Sequence, residues 1–269
     1  MATVSNLILY PVKGCAGSPL TRAEVLPTGV LHDRTFMFVR ESDGVFRSQR
    51  STPKLSIIRP ELTVEADKLT LSAPDLPSIA LDVSTEGRRL TVEIHGVWRG
   101  KAVDQGDEVA EWASTLVGEP LRLVRVAPDH ERAVDDWHGT ITFTDSTALH
   151  LTSLSSLDDL NARILEKGAE PVPMERFRPN IVIKDWTVPY TEDDLRDFTI
   201  GTARLRWVKP DVRCKVTMVD QPTGTSAGPE PLRTLADYRR EPDGGVSFGI
   251  KVAVTTPGEV QIGDELTAL

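Results

Sequence analysis

The chain has 269 residues, 39% hydrophobic and 26% charged, enough for one large or two ordinary globular domains without a disulfide or metal staple. A formal net charge of -9 excludes general nucleic-acid binding, which requires a basic footprint. Two cysteines cannot build a disulfide framework and fit a reducing compartment, and the opening Met1-Ala2-Thr3-Val4-Ser5-Asn6 has neither a basic leader nor a long apolar run. No signal peptide, no membrane association and a cytoplasmic location are therefore expected.

The first half reads as strands. Residues 6–10 form a short β run ended by Pro11, and residues 35–39 lead through the hairpin signal Ser42-Asp43-Gly44 to Val45-Phe46. Residues 68–72 and 90–95 alternate with period two, the second run turning at Gly96. Many short strands at close spacing predict a barrel or sandwich. A helix should follow, with Val109, Trp112, Ala113 and Leu116 on one face, Asp107 placed to cap it and Gly118 to end it. Glu119-Pro120 then marks a boundary, dividing the chain into 1–118 and 119–269. In a second helix Leu154, Leu157, Leu160 and Ile164 share a face, Ser155 and Asp158 resemble a capping box, and Gly168 stops it. Residues 181–183, 203–208 and 216–219 read as strands. A short helix around Leu232, Leu235 and Tyr238 precedes the last strands, near 246–254 and 259–262. The fold class expected is mainly β with some α, an α+β chain.

The most informative stretch surrounds Cys214, which stands between Arg213 and Lys215. Neighbouring cations favour the thiolate, the form that attacks electrophiles or binds a soft metal. A structural thiol more often has apolar neighbours; from the neighbours alone the structural and functional readings balance. Lys13, Arg34, Arg176, Arg178, Arg213 and Lys215 cluster around distinct motifs. A locally basic pocket on an acidic protein suits a small anionic ligand, scattered solvated charge being the plain alternative.

Other chemistry is not signalled. The sequence has no CxxC, HxxxH or HxH spacing for zinc, no P-loop and no GxGxxG. Gly224-Thr225-Ser226-Ala227-Gly228 matches a GxSxG elbow, but Asp220-Gln221-Pro222-Thr223 before it and Pro229 after it read as a turn. The five histidines, His32, His95, His130, His138 and His150, read as surface or satisfied core residues. His138, within Asp135-Asp136-Trp137-His138-Gly139, is the one candidate for a loop at a pocket mouth.

Six segments in order carry a resemblance. They are Tyr10-Pro11-Val12-Lys13-Gly14-Cys15, Gly29-Val30-Leu31-His32-Asp33-Arg34 and Asp145-Ser146-Thr147, then Arg176-Phe177-Arg178-Pro179-Asn180-Ile181-Val182. Arg213-Cys214 with Asp220-x-x-Thr223-Gly224, and Pro257-Gly258-x-x-x-Ile262-Gly263-Asp264, complete the set. Together they resemble the MOSC family, the molybdenum-cofactor sulfurase C-terminal domain proteins. The likeness is to two-part members with an N-terminal β-barrel, such as the mitochondrial amidoxime-reducing component and its bacterial relatives. It implies an N-terminal β-barrel domain over 1–118 and a MOSC β-barrel domain with peripheral helices over 119–269.

The resemblance further implies a molybdenum cofactor (Mo-molybdopterin) with the metal held by Cys214, the residue also expected to be catalytic. The cofactor-binding positions it implies are Lys13, Gly14, Arg34, Ser146, Thr147, Arg178, Asn180 and Arg213, with Lys251 a looser match. Arginine suits bidentate phosphate contacts and lysine point-charge ones. The implied activity is an oxidoreductase reducing N-hydroxylated compounds (amidoximes, hydroxamic acids or N-hydroxylated bases), with no requirement for pyridoxal phosphate. The chain offers neither the cysteines of an iron–sulfur domain nor a CxxCH haem motif, so a separate electron donor is expected: a ferredoxin, a flavin reductase or a haem protein. Asp211 is a candidate proton donor. A molybdenum-cofactor or sulfur carrier using Cys214 is the alternative, and a plain ligand-binding barrel a third. Val212 stands where mitochondrial members have a small polar residue, and Gly14 where they have Ser. Cys15, beside Gly14, Ala16 and Gly17, reads as structural.

Overall fold

The computed structural model describes residues 1–133 and 141–269; the loop candidate at His138 lies outside the described residues. The fold is mainly β with a few short helices, as the strand periodicity predicts. Its largest unit is an eight-stranded sheet in the order Leu266–Ala268, Asp197–Ile200, Ala203–Arg213, Val246–Thr256, Leu149–Ser153, Ile181–Lys184, Thr3–Leu9, Ser18–Leu20. Leu149–Ser153 and Ile181–Lys184 run parallel, a pairing that needs a crossover, and the helix Leu154–Glu166 supplies it. A five-stranded sheet orders Arg89–Ile94, Trp98–Asp104, Leu121–Val126, Phe36–Arg40 and Val12–Lys13.

We propose the 118/119 division for the sequence segments only, because strands from each side complete a sheet on the other. Thr3–Leu9 pairs with Ile181–Lys184, Arg22–Leu26 pairs with Gly258–Gln261, and Leu121–Val126 pairs with Phe36–Arg40. Each of these segments is apolar on the face it buries. Val4 and Leu7 join the core of the large sheet with Ile181, Phe198, Leu205 and Ile250, whereas Leu121 and Leu123 pack with Phe36, Phe38 and Leu55. At roughly 25 cal/mol per Å² of apolar surface, side chains like these dominate the stabilisation of each sheet.

Local signals hold with adjustments. The helix Asp107–Val117 ends at Gly118 in the left-handed region (φ 86), as expected. Its N-cap, however, is Gly106; Asp107 lies in the first turn, where its charge complements the helix dipole, and accepts a hydrogen bond from Arg122 Nη1 at 2.7 Å. The second helix is capped by Ser153 rather than Ser155, its hydroxyl accepting from the Ser156 amide at 3.2 Å. Ser153 and Ser156 also donate to the buried Glu192 (3.0 and 2.8 Å), which has no place in a sequence-local capping box.

Residues 216–219 do not continue as the expected strand. Lys215–Met218 forms a 3₁₀ turn, and only Val219–Asp220 is extended. The Thr217 amide and hydroxyl both donate to the Cys214 carbonyl, at 3.1 and 3.0 Å. That local side-chain-to-backbone bonding competes with a sheet ladder and overrides the β propensity of Val216 and Thr217. The outcome places Cys214 at a sharp exit from the long strand Ala203–Arg213.

Candidate functional site

An open pocket of about 840 Å³ lies where both halves of the chain meet. The elements around it explain why. Lys13 ends the short strand Val12–Lys13, which pairs parallel with Phe36–Arg40. Thr147 precedes the strand Leu149–Ser153, and Arg178 follows the 3₁₀ turn Met174–Phe177 just before Ile181–Lys184. Arg213 closes Ala203–Arg213, whose register against Val246–Thr256 shifts between Pro210 and Val212. Such a bulge re-aims side chains, here burying Asp211 while Val212 stays half exposed.

Of the sequence-predicted residues, Lys13, Gly14, Arg34, Thr147, Arg178, Asn180, Arg213 and Cys214 line this one pocket, with Asp211 and Lys251. Ser146 sits between the lining residues Asp145 and Thr147 without lining the wall itself. Phe46, Gln49, Arg50, His95 and His150 also line it and were not singled out in the sequence, because nothing in their local spacing marks them. His95 and His150, expected to be surface or satisfied core, belong to the wall.

The backbone is strained here. Arg34 (φ 48), Arg178 (φ 56) and His95 (φ 53) are all in the left-handed region, which costs a non-glycine residue about 1–2 kcal/mol. Strain of this kind persists where surrounding structure fixes it and clusters at ligand sites. Gly14 (φ 86) meets the same backbone demand with a residue that tolerates it.

The charges are arranged in layers. Lys13 Nζ donates to Asp145 Oδ1 at 2.5 Å and lies 5.0 Å from the Phe46 ring centroid. Burial lowers the Lys13 pKa to about 8, against the pull of Asp145, so it remains mostly protonated at neutral pH. Arg34 donates to Asp33, to Asn180 Oδ1 at 3.1 Å and to the Arg178 carbonyl at 3.3 Å. The Asn180 side chain, 1% exposed, also accepts from the His150 amide and donates to the Ile8 carbonyl, so its amide is spent on positioning its neighbours. Arg34 and Arg178 both lie over the ring of Tyr10, at 4.4 and 4.3 Å from the centroid. Arg178 makes one long contact to Gln221 Oε1 at 3.5 Å and, among the described residues, pairs with no carboxylate.

Beside Cys214 a second cluster is centred on Asp211, 6% exposed. Its Oδ2 faces Arg213 Nη1, Lys251 Nζ at 3.3 Å and His150 Nε2 at 3.3 Å. Burial opposes ionisation, but Arg213 and Lys251 outweigh it and hold the Asp211 carboxyl below its usual range. Asp211 is thus a fixed anion, which corrects its candidacy as a proton donor. Burial pushes His150 down to about 3, Asp211 pulling the other way, so its imidazole is neutral. Arg213 spends Nη2 on the Phe177 carbonyl at 2.7 Å, while its buried Nε has no partner among the described residues. Cys214 is the exposed thiol of the chain; Cys15 is buried, and burial raises its pKa, which fits a structural role.

The arrangement is a cation-lined pocket with one accessible thiol on its wall. Among the described residues, no group of three His, Cys, Asp or Glu side chains could hold a metal ion, so a metal at Cys214 would bring most of its donor atoms with it. No described helix is long and apolar enough to cross a membrane.

The MOSC N-terminal beta barrel domain matches residues 1–120 and the MOSC domain residues 138–267. The chain is 34% identical to human mitochondrial amidoxime-reducing component 1, over 100% of this chain and 83% of that protein. Human mitochondrial amidoxime reducing component 2 is 30% identical over 98% of the chain and 82% of its own length. Zebrafish (Danio rerio) molybdenum cofactor sulfurase is 32% identical over 93% of the chain, but the match spans 32% of that longer protein. The chain belongs to the MOSC family in its two-part form, with the N-terminal beta barrel domain.

Proposed function

We propose that the protein is a molybdenum-cofactor-dependent oxidoreductase that reduces N-hydroxylated compounds with electrons from a separate donor protein. The observation that carries this reading is the exposed Cys214 thiol next to Arg213, in a pocket it shares with Arg178 and that has, among the described residues, no metal-ligand set of its own. A thiolate suits a soft or high-valent metal, and unpaired guanidinium groups suit a phosphate. Two observations support the fit of a phosphate-bearing pterin with its own dithiolene sulfurs: among the described residues Arg178 has no carboxylate partner, and the buried Arg213 Nε has no acceptor.

Cys214 would hold the metal. Lys13, Arg34, Arg178 and Arg213 would bind the anionic part, with Gly14, Ser146 and Thr147 adding backbone or hydroxyl contacts and Asn180 holding Arg34 in place. When bound, the cofactor would supply the two-electron chemistry that removes oxygen from the N–OH group. Overall, the N–OH compound, two electrons and two protons give the N–H compound and water; the electrons come from the donor protein and the protons from solvent. Asp211 keeps Arg213 and Lys251 oriented toward the pocket, and Lys13 stays positively charged at neutral pH.

Wild type and Cys214→Ala, expressed in a host that makes the cofactor and purified without oxygen, are compared by elemental mass spectrometry. Near-stoichiometric molybdenum in wild type and its loss in the variant are expected, followed by reduction of benzamidoxime with a chemically reduced dye. No molybdenum and no pterin in either protein overturns the reading. The likeness to molybdenum cofactor sulfurase, together with the exposure of Cys214, favours a second reading: a cofactor or sulfur carrier. A carrier would release its load on dilution and reduce benzamidoxime poorly even with the dye.

A further inference from the structure

Six basic side chains line the pocket: Lys13, Arg34, Arg50, Arg178, Arg213 and Lys251. Three carboxylates account for four of them. Asp145 pairs with Lys13, Asp33 with Arg34, and Asp211 with both Arg213 and Lys251. Arg50 and Arg178 pair with no carboxylate among the described residues. Their settings differ. Arg178 is partly buried, its guanidinium over the Tyr10 ring and 3.5 Å from Gln221 Oε1. Arg50 is exposed at the rim, and its Nη2 donates to His95 Nε2 at 3.0 Å.

That rim is built, not incidental. His95 occupies the tip of the hairpin joining Arg89–Ile94 and Trp98–Asp104, in a left-handed conformation that a histidine adopts only at a cost. Its ring packs edge-on against Phe46, centroids 5.3 Å apart. An imidazole so held fixes the position of the Arg50 guanidinium and brings no negative charge to it. Asp145 Oδ1 lies 3.6 Å from His95 Nε2 and is engaged by Lys13 at 2.5 Å.

We propose that Arg50, positioned by His95, is a specificity-determining residue that selects N-hydroxylated substrates carrying a second, oxyanionic group such as a carboxylate or phosphate. Arg178 and the inner cations answer the charge of the cofactor; Arg50 remains for a charge on the substrate. A guanidinium at a partly open mouth adds affinity through charge-assisted, bidentate hydrogen bonds that a neutral substrate cannot make. This inference rests on the reductase reading above, so its test separates the two.

Cofactor-loaded wild type, Arg50→Gln and Arg50→Lys are assayed with the reduced dye on benzamidoxime, its 4-carboxy derivative and its 4-phosphonooxy derivative. In wild type, kcat/KM for the two anionic substrates should exceed that for benzamidoxime by about tenfold, a difference of about 1.4 kcal/mol. Arg50→Gln should collapse that ratio toward one through KM, and Arg50→Lys should keep part of it. The carboxylate and phosphate arms show which oxyanion the rim prefers. A ratio near one in wild type, or a ratio unchanged in Arg50→Gln, overturns the proposal. If loaded wild type reduces none of the three, the reductase reading fails instead. Calorimetric titration of the same proteins with benzoate against benzamide then decides the rim: saturable benzoate binding lost in Arg50→Gln sustains the anion site, and equal behaviour of both ligands removes it.

Discussion

Replacing Asp211 with Asn probes the charge cluster beside Cys214. The substitution keeps shape and one acceptor but removes the charge that holds Arg213 and Lys251, whose side chains are 11% and 18% exposed. Removing one partner of a buried ion pair costs about 3–5 kcal/mol, because the remaining charge is left desolvated and unpaired. Arg213 keeps its 2.7 Å bond to the Phe177 carbonyl, and both cations retain some contact with the open pocket. The lower end, about 3 kcal/mol, is therefore expected. For a domain-sized chain each kcal/mol moves the melting point by about 2–4 °C, so Asp211→Asn should melt roughly 6–12 °C below wild type. Differential scanning calorimetry of the two proteins at pH 7.5 gives the comparison. Phosphate added at 50 mM should raise the variant's melting point more than that of wild type, since it meets two cations that no longer have a carboxylate. A variant melting within about 2 °C of wild type, with no larger response to phosphate, would refute the assignment of Asp211 as the anchor of this cluster.

Other substitutions test neighbouring parts of the same structure. Gly249 has φ +73, and a Cβ there would stand 2.6 Å from His150 Nε2 and 2.7 Å from the Leu151 carbonyl oxygen. Gly249→Ala should cost roughly 2–4 kcal/mol by adding backbone strain to overpacking, read as a lower urea midpoint with an unchanged m value. Lys13 has a folded pKa of about 8 against an ordinary value of 10.5. Between those values the unfolded chain binds more protons, so this group's contribution to stability is present above about pH 10.5 and is lost as pH falls through about 8. Urea unfolding at pH 7.5 and 9.5 should show wild type gaining stability relative to Lys13→Met at the higher pH. A difference that does not change with pH would sink the assignment.

Much of the fold is legible along the chain because its causes are local. Alternation with period two places residues 68–72 in the strand Lys68–Ala73 and residues 90–94 in Arg89–Ile94, with His95 already in the turn, and Gly118 ends its helix through the one residue type that accepts φ 86 without strain. The exceptions are also instructive. Thr217 is a good strand former, yet its hydroxyl and amide close a turn onto the Cys214 carbonyl, and a propensity summed over neighbours does not register that bond. Ser153 caps its helix partly because Glu192, far along the chain, faces the same hydroxyls.

For the candidate site, the sequence by itself determined the residue types: a thiol between two cations, and basic residues set in turn-forming motifs from Lys13 to Arg213. Those features are carried by neighbouring residues and survive in any conformation. Only the tertiary structure decided which cations keep their charge for a ligand. Asp211 lies two residues from Arg213, but its contacts to Lys251 and His150 exist because two long strands and a third meet in one sheet. Likewise Arg50 and His95 are 45 positions apart and carry no shared motif; a hairpin tip brings them to one rim. Coulomb interactions fall with distance in space and not along the chain, so charge pairing, and with it the identity of the unpaired guanidinium groups, is settled by the fold.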